Sequence, residues 1–153
     1  MNLTLNRIRL LTEFFGTFII SICINLSTQY QSHKQVIHWP LIFTGFFSAI
    51  YITKNISGGH LNPSTTLSII LNKENRTNSG AKHSNKQQLF YLYFIFQTLG
   101  GFSACFIASL LNKNNIFRLN ISENIKIHNA FLAEIIFSFF YNYSFLCLSI
   151  ENS

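Results

Sequence analysis

The chain has 153 residues, 48% of them apolar and only 10% charged, with 17 phenylalanines among them. That profile belongs to a multi-span membrane protein and excludes a disordered chain or an ordinary soluble domain. The net charge of +6 sits almost wholly between the apolar runs, and no basic stripe with interleaved aromatics appears, which argues against a nucleic-acid partner.

Met1 to Arg9 is a short polar head without the small-residue site of a cleavable signal. Leu10 to Leu26 is the first apolar span, at the short limit for a bilayer. It carries Glu13, and two readings stand: a carboxyl turned to the protein interior and partnered there, or one snorkelling at the membrane face. Ser27 to His38 is a polar connection, and Trp39 to Thr53 is the second span, with Trp39 as an interfacial anchor and Lys54 as a snorkelling end residue.

Ser57 to Thr66 follows. Gly58 and Gly59 let the backbone run with its carbonyls exposed, Asn62 is a natural N-cap, and Pro63 suits the first helical position. A short half-helix over about 63–71 is expected. In water this would be an ordinary helix start. Between lipid-like segments, irregular backbone is tolerated only where protein buries it or where it lines a wet cavity. A half-helix pointing its N-terminus to mid-membrane is a construction of pores and transporters.

Asn72 to Gln88 is polar, basic and expected to be mobile. Leu89 to Leu111 is the third span, in which Gly100 and Gly101 permit close packing and Gln97 must hydrogen-bond within the bundle. Asn112 to Asn129 is a further polar connection, and its Asn120-Ile121-Ser122 matches the glycosylation acceptor pattern. Ala130 to Ile150 is the fourth span. Cys23, Cys105 and Cys147 lie inside apolar runs without ligand spacing and read as small buried hydrophobes, so neither metal nor cofactor is expected.

The stretch Ser57-Gly58-Gly59-His60-Leu61-Asn62-Pro63-Ser64-Thr65-Thr66 closely resembles the first Asn-Pro-Ala box of aquaporins, the water and small-solute channels of the major intrinsic protein family. Ser64 stands where that family usually has alanine. The third-span pattern Tyr93-x-x-x-Gln97-x-x-Gly100 resembles the family too. The resemblance implies an all-α, polytopic membrane bundle built as three spans and a half-helix, twice. It implies that Gly58, Gly59 and His60 offer carbonyls to the pore and that Asn62, Pro63 and Ser64 form its central box. It also implies that the Glu13 carboxyl supports the pore-lining loop. His60 reads equally as a packing residue behind that strip. Ile42 falls where the family has a member of its selectivity constriction, and it also reads as an ordinary core residue.

Glu134-Ile135-Ile136-Phe137-Ser138-Phe139 repeats the pattern of Glu13-Phe14-Phe15-Gly16-Thr17-Phe18. It fits an inverted internal repeat and makes Glu134 a second loop-supporting carboxyl. The spacing of the two glutamates, roughly 120 residues, sets a second Asn-Pro box about 30 residues beyond Ser153. Residues 1–153 are therefore expected to be a partial domain, the first half of such a channel plus one span. With a cytoplasmic N-terminus, seven basic residues (Arg7, Arg9, Lys54, Lys73, Arg76, Lys82, Lys86) lie inside against four outside (Lys34, Lys113, Arg118, Lys126), which favours that orientation.

Two functions follow. The first is a fragment of a channel for passive movement of water or small neutral solutes, with the lipid bilayer as its surroundings and a homo- or hetero-oligomer, a tetramer in the family, as its assembly. The second is a short non-conducting protein that associates with full-length relatives. The few ionisable residues in the spans offer no acid–base pair or metal cluster, so an enzyme is not expected.

Overall fold

The computed structural model describes residues 3–31, 34–76, 83–111 and 125–151. Five helices make the fold: α1 (Leu3–Ser27), α2 (Trp39–Ser57), α3 (Pro63–Arg76), α4 (His83–Leu111) and α5 (Ile127–Glu151). Three of them contain stretches long and apolar enough to cross a membrane: Asn6–Ser27, Gln88–Leu111 and Ile127–Leu148. The bundle is all-α. Outside it, the connection after α1 pairs β1 (Thr28–Gln31) antiparallel with β2 (Lys34–Ile37), in a register that sets Thr28 opposite Ile37. The sequence suggested only a polar connection there. The ribbon is anchored where the His38 N–H donates to the Ser27 carbonyl at 2.8 Å.

The central helix is α1, which packs against α2 on one side and α4 on the other. Small residues make those approaches. On α4 the buried positions Tyr93, Gln97, Gly100, Ala104 and Ala108 recur every three to four residues and so form one face. A Cβ on Gly100 would collide with the Phe14 carbonyl of α1 and stand 3.3 Å from the Phe18 nitrogen. On α2, Gly45, Ala49, Thr53 and Ser57 form the buried face, and a Cβ on Gly45 would come within 2.6 Å of the Cys23 Cβ. In lipid the drive for such contacts is close van der Waals packing rather than water exclusion, and small residues are what allow it.

The outward faces carry the large side chains. Phe43, Phe47 and Tyr51 of α2 are 64–77% exposed and stack on one another along the helix. Cys105 and Cys147 are also exposed, which corrects the expectation that they are buried. Cys105 lies at the open edge of the α1–α4 contact, where its sulfur meets the Asn25 amide at 3.5 Å, and Cys147 sits near the end of the sparsely covered α5. Helix α5 contacts the rest mainly through α3, and its apolar side chains are almost all exposed.

All five helices run further than the sequence suggested. The second continues to Ser57, and the short one continues from Pro63 to Arg76. The basic connection thus shrinks, since Asn72–Arg76 belongs to α3 and His83–Gln88 to α4. The residues between them, like Lys113, Arg118 and the Asn120-Ile121-Ser122 triplet, lie outside the described residues.

The tight α1–α4 crossing yields a paired test. Gly100→Ala should destabilise the fold by about 1–3 kcal/mol through overpacking. Gly101→Ala should be near neutral, because a Cβ there meets only the Ser21 hydroxyl at 3.7 Å. Thermal unfolding of detergent-solubilised protein measures both, and equal losses would contradict this account of the crossing.

Candidate functional site

The turn between α2 and α3 is irregular because three successive devices build it. Helix α2 stops at a left-handed cap, Gly58, with φ 99° and ψ −6°. Gly59 is left-handed as well, at φ 64°, and Leu61 repeats the conformation at φ 52°. Glycine adopts such angles freely, whereas leucine is strained there and needs its surroundings to hold it.

Those surroundings are specific. The Leu61 N–H donates to Glu13 Oε2 at 2.7 Å, and its carbonyl accepts from the Thr17 hydroxyl at 3.2 Å. Its side chain is buried in a notch over Gly16, where a Cβ would collide with it. The preceding N–H, of His60, donates to Glu13 Oε1 at 3.1 Å. Gln97 of α4 completes the set, its Nε2 donating to Glu13 Oε2 at 2.7 Å and to Thr66 Oγ1 at 3.1 Å. Glu13 has no exposed surface, and Gln97 is 1% exposed. A buried carboxyl group is thus matched by two backbone donors and a side-chain amide, as burial of such a group requires.

The same network starts α3. Asn62 Oδ1 accepts from the Ser64 N–H at 2.9 Å, a side-chain N-cap, while its carbonyl accepts from the Thr66 N–H and Thr66 hydroxyl, each at 3.0 Å. The Asn62 amide N–H2 has no protein partner among the described residues. The His60 ring packs edge-on against Tyr93, with centroids 5.2 Å apart, and its Nδ1 lies 3.3 Å from Thr66 Oγ1. Tyr93 in turn donates its hydroxyl to the Ser57 carbonyl at 3.0 Å, tying the end of α2 to α4.

An open cavity of about 520 Å³ lies before the start of α3. Asn62, Pro63 and Ser64 line it, with Thr17 and Ile20 of α1, Phe46 of α2, and Phe137, Ser138, Tyr141 and Asn142 of α5 also on its wall. Gly58, Gly59, His60 and Ile42 are not on its wall. Glu13 takes the N–H groups of His60 and Leu61 on the side of α1. Ile42 is half-buried on α2. Glu134 is exposed on α5, where that stretch meets no loop among the described residues.

Sequence reasoning missed Thr17, Leu61 and Asn142. A hydroxyl one turn after Glu13 was a usable signal for Thr17. A leucine in a left-handed conformation and an asparagine across the cavity from another helix have no local signature.

At 14 residues α3 is about 21 Å long and too short to cross a hydrocarbon core of about 30 Å. Its capped start is pinned by Glu13 and Gln97, both near the middle of long apolar helices. A half-helix of this kind, opening on a cavity inside a helical bundle, defines a membrane channel or transporter wall. The model of the family described as Major intrinsic protein matches residues 4–153. The chain belongs to that family, whose members are integral membrane channels for water and small solutes. No curated protein and no solved structure matches the chain.

Glu13→Gln puts an amide N–H2 against backbone donors that now meet an oxygen. Each buried N–H left unpaired costs about 1–3 kcal/mol. The His60 and Leu61 amides should therefore exchange hydrogen at least tenfold faster, which exchange mass spectrometry of the Ser57–Thr66 peptide reads; unchanged protection would refute the pinning role of Glu13.

Proposed function

We propose that residues 1–153 form the first half of a channel for passive movement of water and small neutral solutes, completed by a second half-helix supplied outside this stretch. One observation supports the reading above others: the capped N-terminus of α3 is held by Glu13 at the mid-height of the long helices and opens on a cavity with one polar edge. In this reading the free Asn62 amide donates to a passing oxygen, and the positive end of the α3 dipole disfavours cations and protons. Ser64 adds a hydroxyl at the cavity edge. The carbonyls of Gly58, Gly59 and His60 act as acceptors on the other side of the box, along the approach from the end of α2.

Apolar side chains keep the rest of the path unattractive to ions. Phe46 is on the cavity wall. Ile42, one turn before it on the same helix face, extends that wall toward Trp39 and leaves this side of a constriction apolar. Glu13 and Gln97 act as supports, not as pore groups, because neither is accessible. The N-terminus is cytoplasmic in this reading, in keeping with the excess of basic residues that orientation places inside.

Stopped-flow flux in proteoliposomes tests the reading. Residues 1–153 alone should give no water flux above protein-free vesicles, since one half-helix leaves the opposite wall open. The native polypeptide containing the Ser57–Thr66 peptide should have a mass above 17.6 kDa and conduct. Asn62→Ala in it should lower flux roughly tenfold, equivalent to about 1.4 kcal/mol. A native mass near 17.6 kDa without flux would favour the non-conducting partner of full-length relatives instead.

A further inference from the structure

The α5 wall of the cavity carries one polar side chain whose hydrogen bonding is incomplete. Asn142 Nδ2 donates to Ser64 Oγ at 2.9 Å, across to α3, and to the Ser138 carbonyl of its own helix at 2.8 Å. Both its amide hydrogens are therefore used. Its Oδ1 is shielded from bulk water and has no donor. A buried acceptor left in that condition is costly and is rare unless something else satisfies it. The same cavity is lined by Asn62, whose amide N–H2 has no protein partner among the described residues.

We propose that Asn142 is a solute-contacting selectivity residue: its carbonyl oxygen accepts a hydrogen bond from a hydroxyl-bearing solute whose oxygen is held by the Asn62 amide. The proposal rests on the channel reading above. A hydroxyl group both donates and accepts, so it bridges a donor at Asn62 and an acceptor at Asn142. Terminal amide torsions are broad, so a solute hydroxyl can draw Oδ1 round about χ2 to the cavity in exchange for the Ser64 contact. The same cavity is also lined by the apolar side chains of Ile20, Phe46 and Phe137. That apolar wall suits the carbon skeleton of a small polyol and does nothing for water. At about 520 Å³ the cavity exceeds the roughly 30 Å³ share of one water many times over. Ser64 has a separate part: without solute its oxygen receives the Asn142 amide.

The test uses the native polypeptide in proteoliposomes, with glycerol and water permeability measured side by side. Asn142→Leu should lower glycerol permeability about fivefold, the effect of one lost hydrogen bond, and change water permeability less than twofold. Equal losses for both, or no loss, would overturn the selectivity role while leaving the channel reading intact. No flux of either kind from the unsubstituted protein would overturn the channel reading and this proposal with it. Asn142→Cys supplies a readout that does not depend on transport. A small methanethiosulfonate reagent should modify the introduced thiol, as mass spectrometry of that peptide reports, and saturating glycerol should slow the reaction at least threefold. An inert thiol at that position, or one whose rate glycerol leaves unchanged, would refute contact with solute.

Discussion

Glu13 is fully buried among apolar helices and yet accepts from three donors on two other elements. In a low-dielectric interior such a group is stable only while all of those donors are present. The requirement runs both ways. The loop cannot leave without stranding the carboxyl, and the carboxyl cannot turn outward without stranding the His60 and Leu61 N–H groups. Leucine at φ 52° is held in a conformation it would not choose because its N–H, carbonyl and side chain are each taken by α1. The start of α3, and with it the position of Asn62, follows from this one anchor.

Around that anchor the bundle is assembled inside out relative to a soluble protein. Glycine, alanine, threonine and serine face the helix contacts, while phenylalanine, tyrosine and isoleucine face outward. The threonines and serines at those contacts mostly return their hydroxyls to their own helix, as Thr53 does to Ala49 at 2.7 Å and Ser57 to Thr53 at 3.3 Å. They add small volume without adding an unpaired polar group. Close backbone approach at Gly100 and Gly45 then lets α4 and α2 clasp α1 tightly enough for side chains of all three to meet at one turn. The polar network at the box therefore depends on small residues well away from it.

Much of this was legible in the sequence, for reasons that can be separated. The apolar runs, the Asn-Pro helix start and the need of Gln97 for a partner inside the bundle are local or compositional, and they are visible without a fold. The Glu13 partnership was legible only through resemblance, because a lone glutamate in an apolar run satisfies the snorkelling geometry equally well. The structure decides it by bringing residues 47 and 48 positions apart into contact. Glu134 shows the limit of the same inference: its sequence surroundings copy those of Glu13, yet burial depends on a neighbouring loop, and α5 meets mainly α3 here. The hairpin after α1 was missed because its short polar strands have no alternating apolar face to announce them.

The cavity before α3 is asymmetric in a way that the box alone does not explain. On the α1 and α4 side the Glu13 carboxyl, the Thr17 hydroxyl and the Gln97 N–H2 are engaged in holding the turn. On the α5 side, Asn142 joins α5 to α3 through Ser64, one of the few polar links that α5 makes. An alanine at position 64 has no oxygen to receive the Asn142 amide, so the exchange of alanine for serine in the box and the presence of asparagine on α5 belong together physically. The serine that departs from the family's usual residue is thus the one that fixes a polar group on the opposite wall of the cavity.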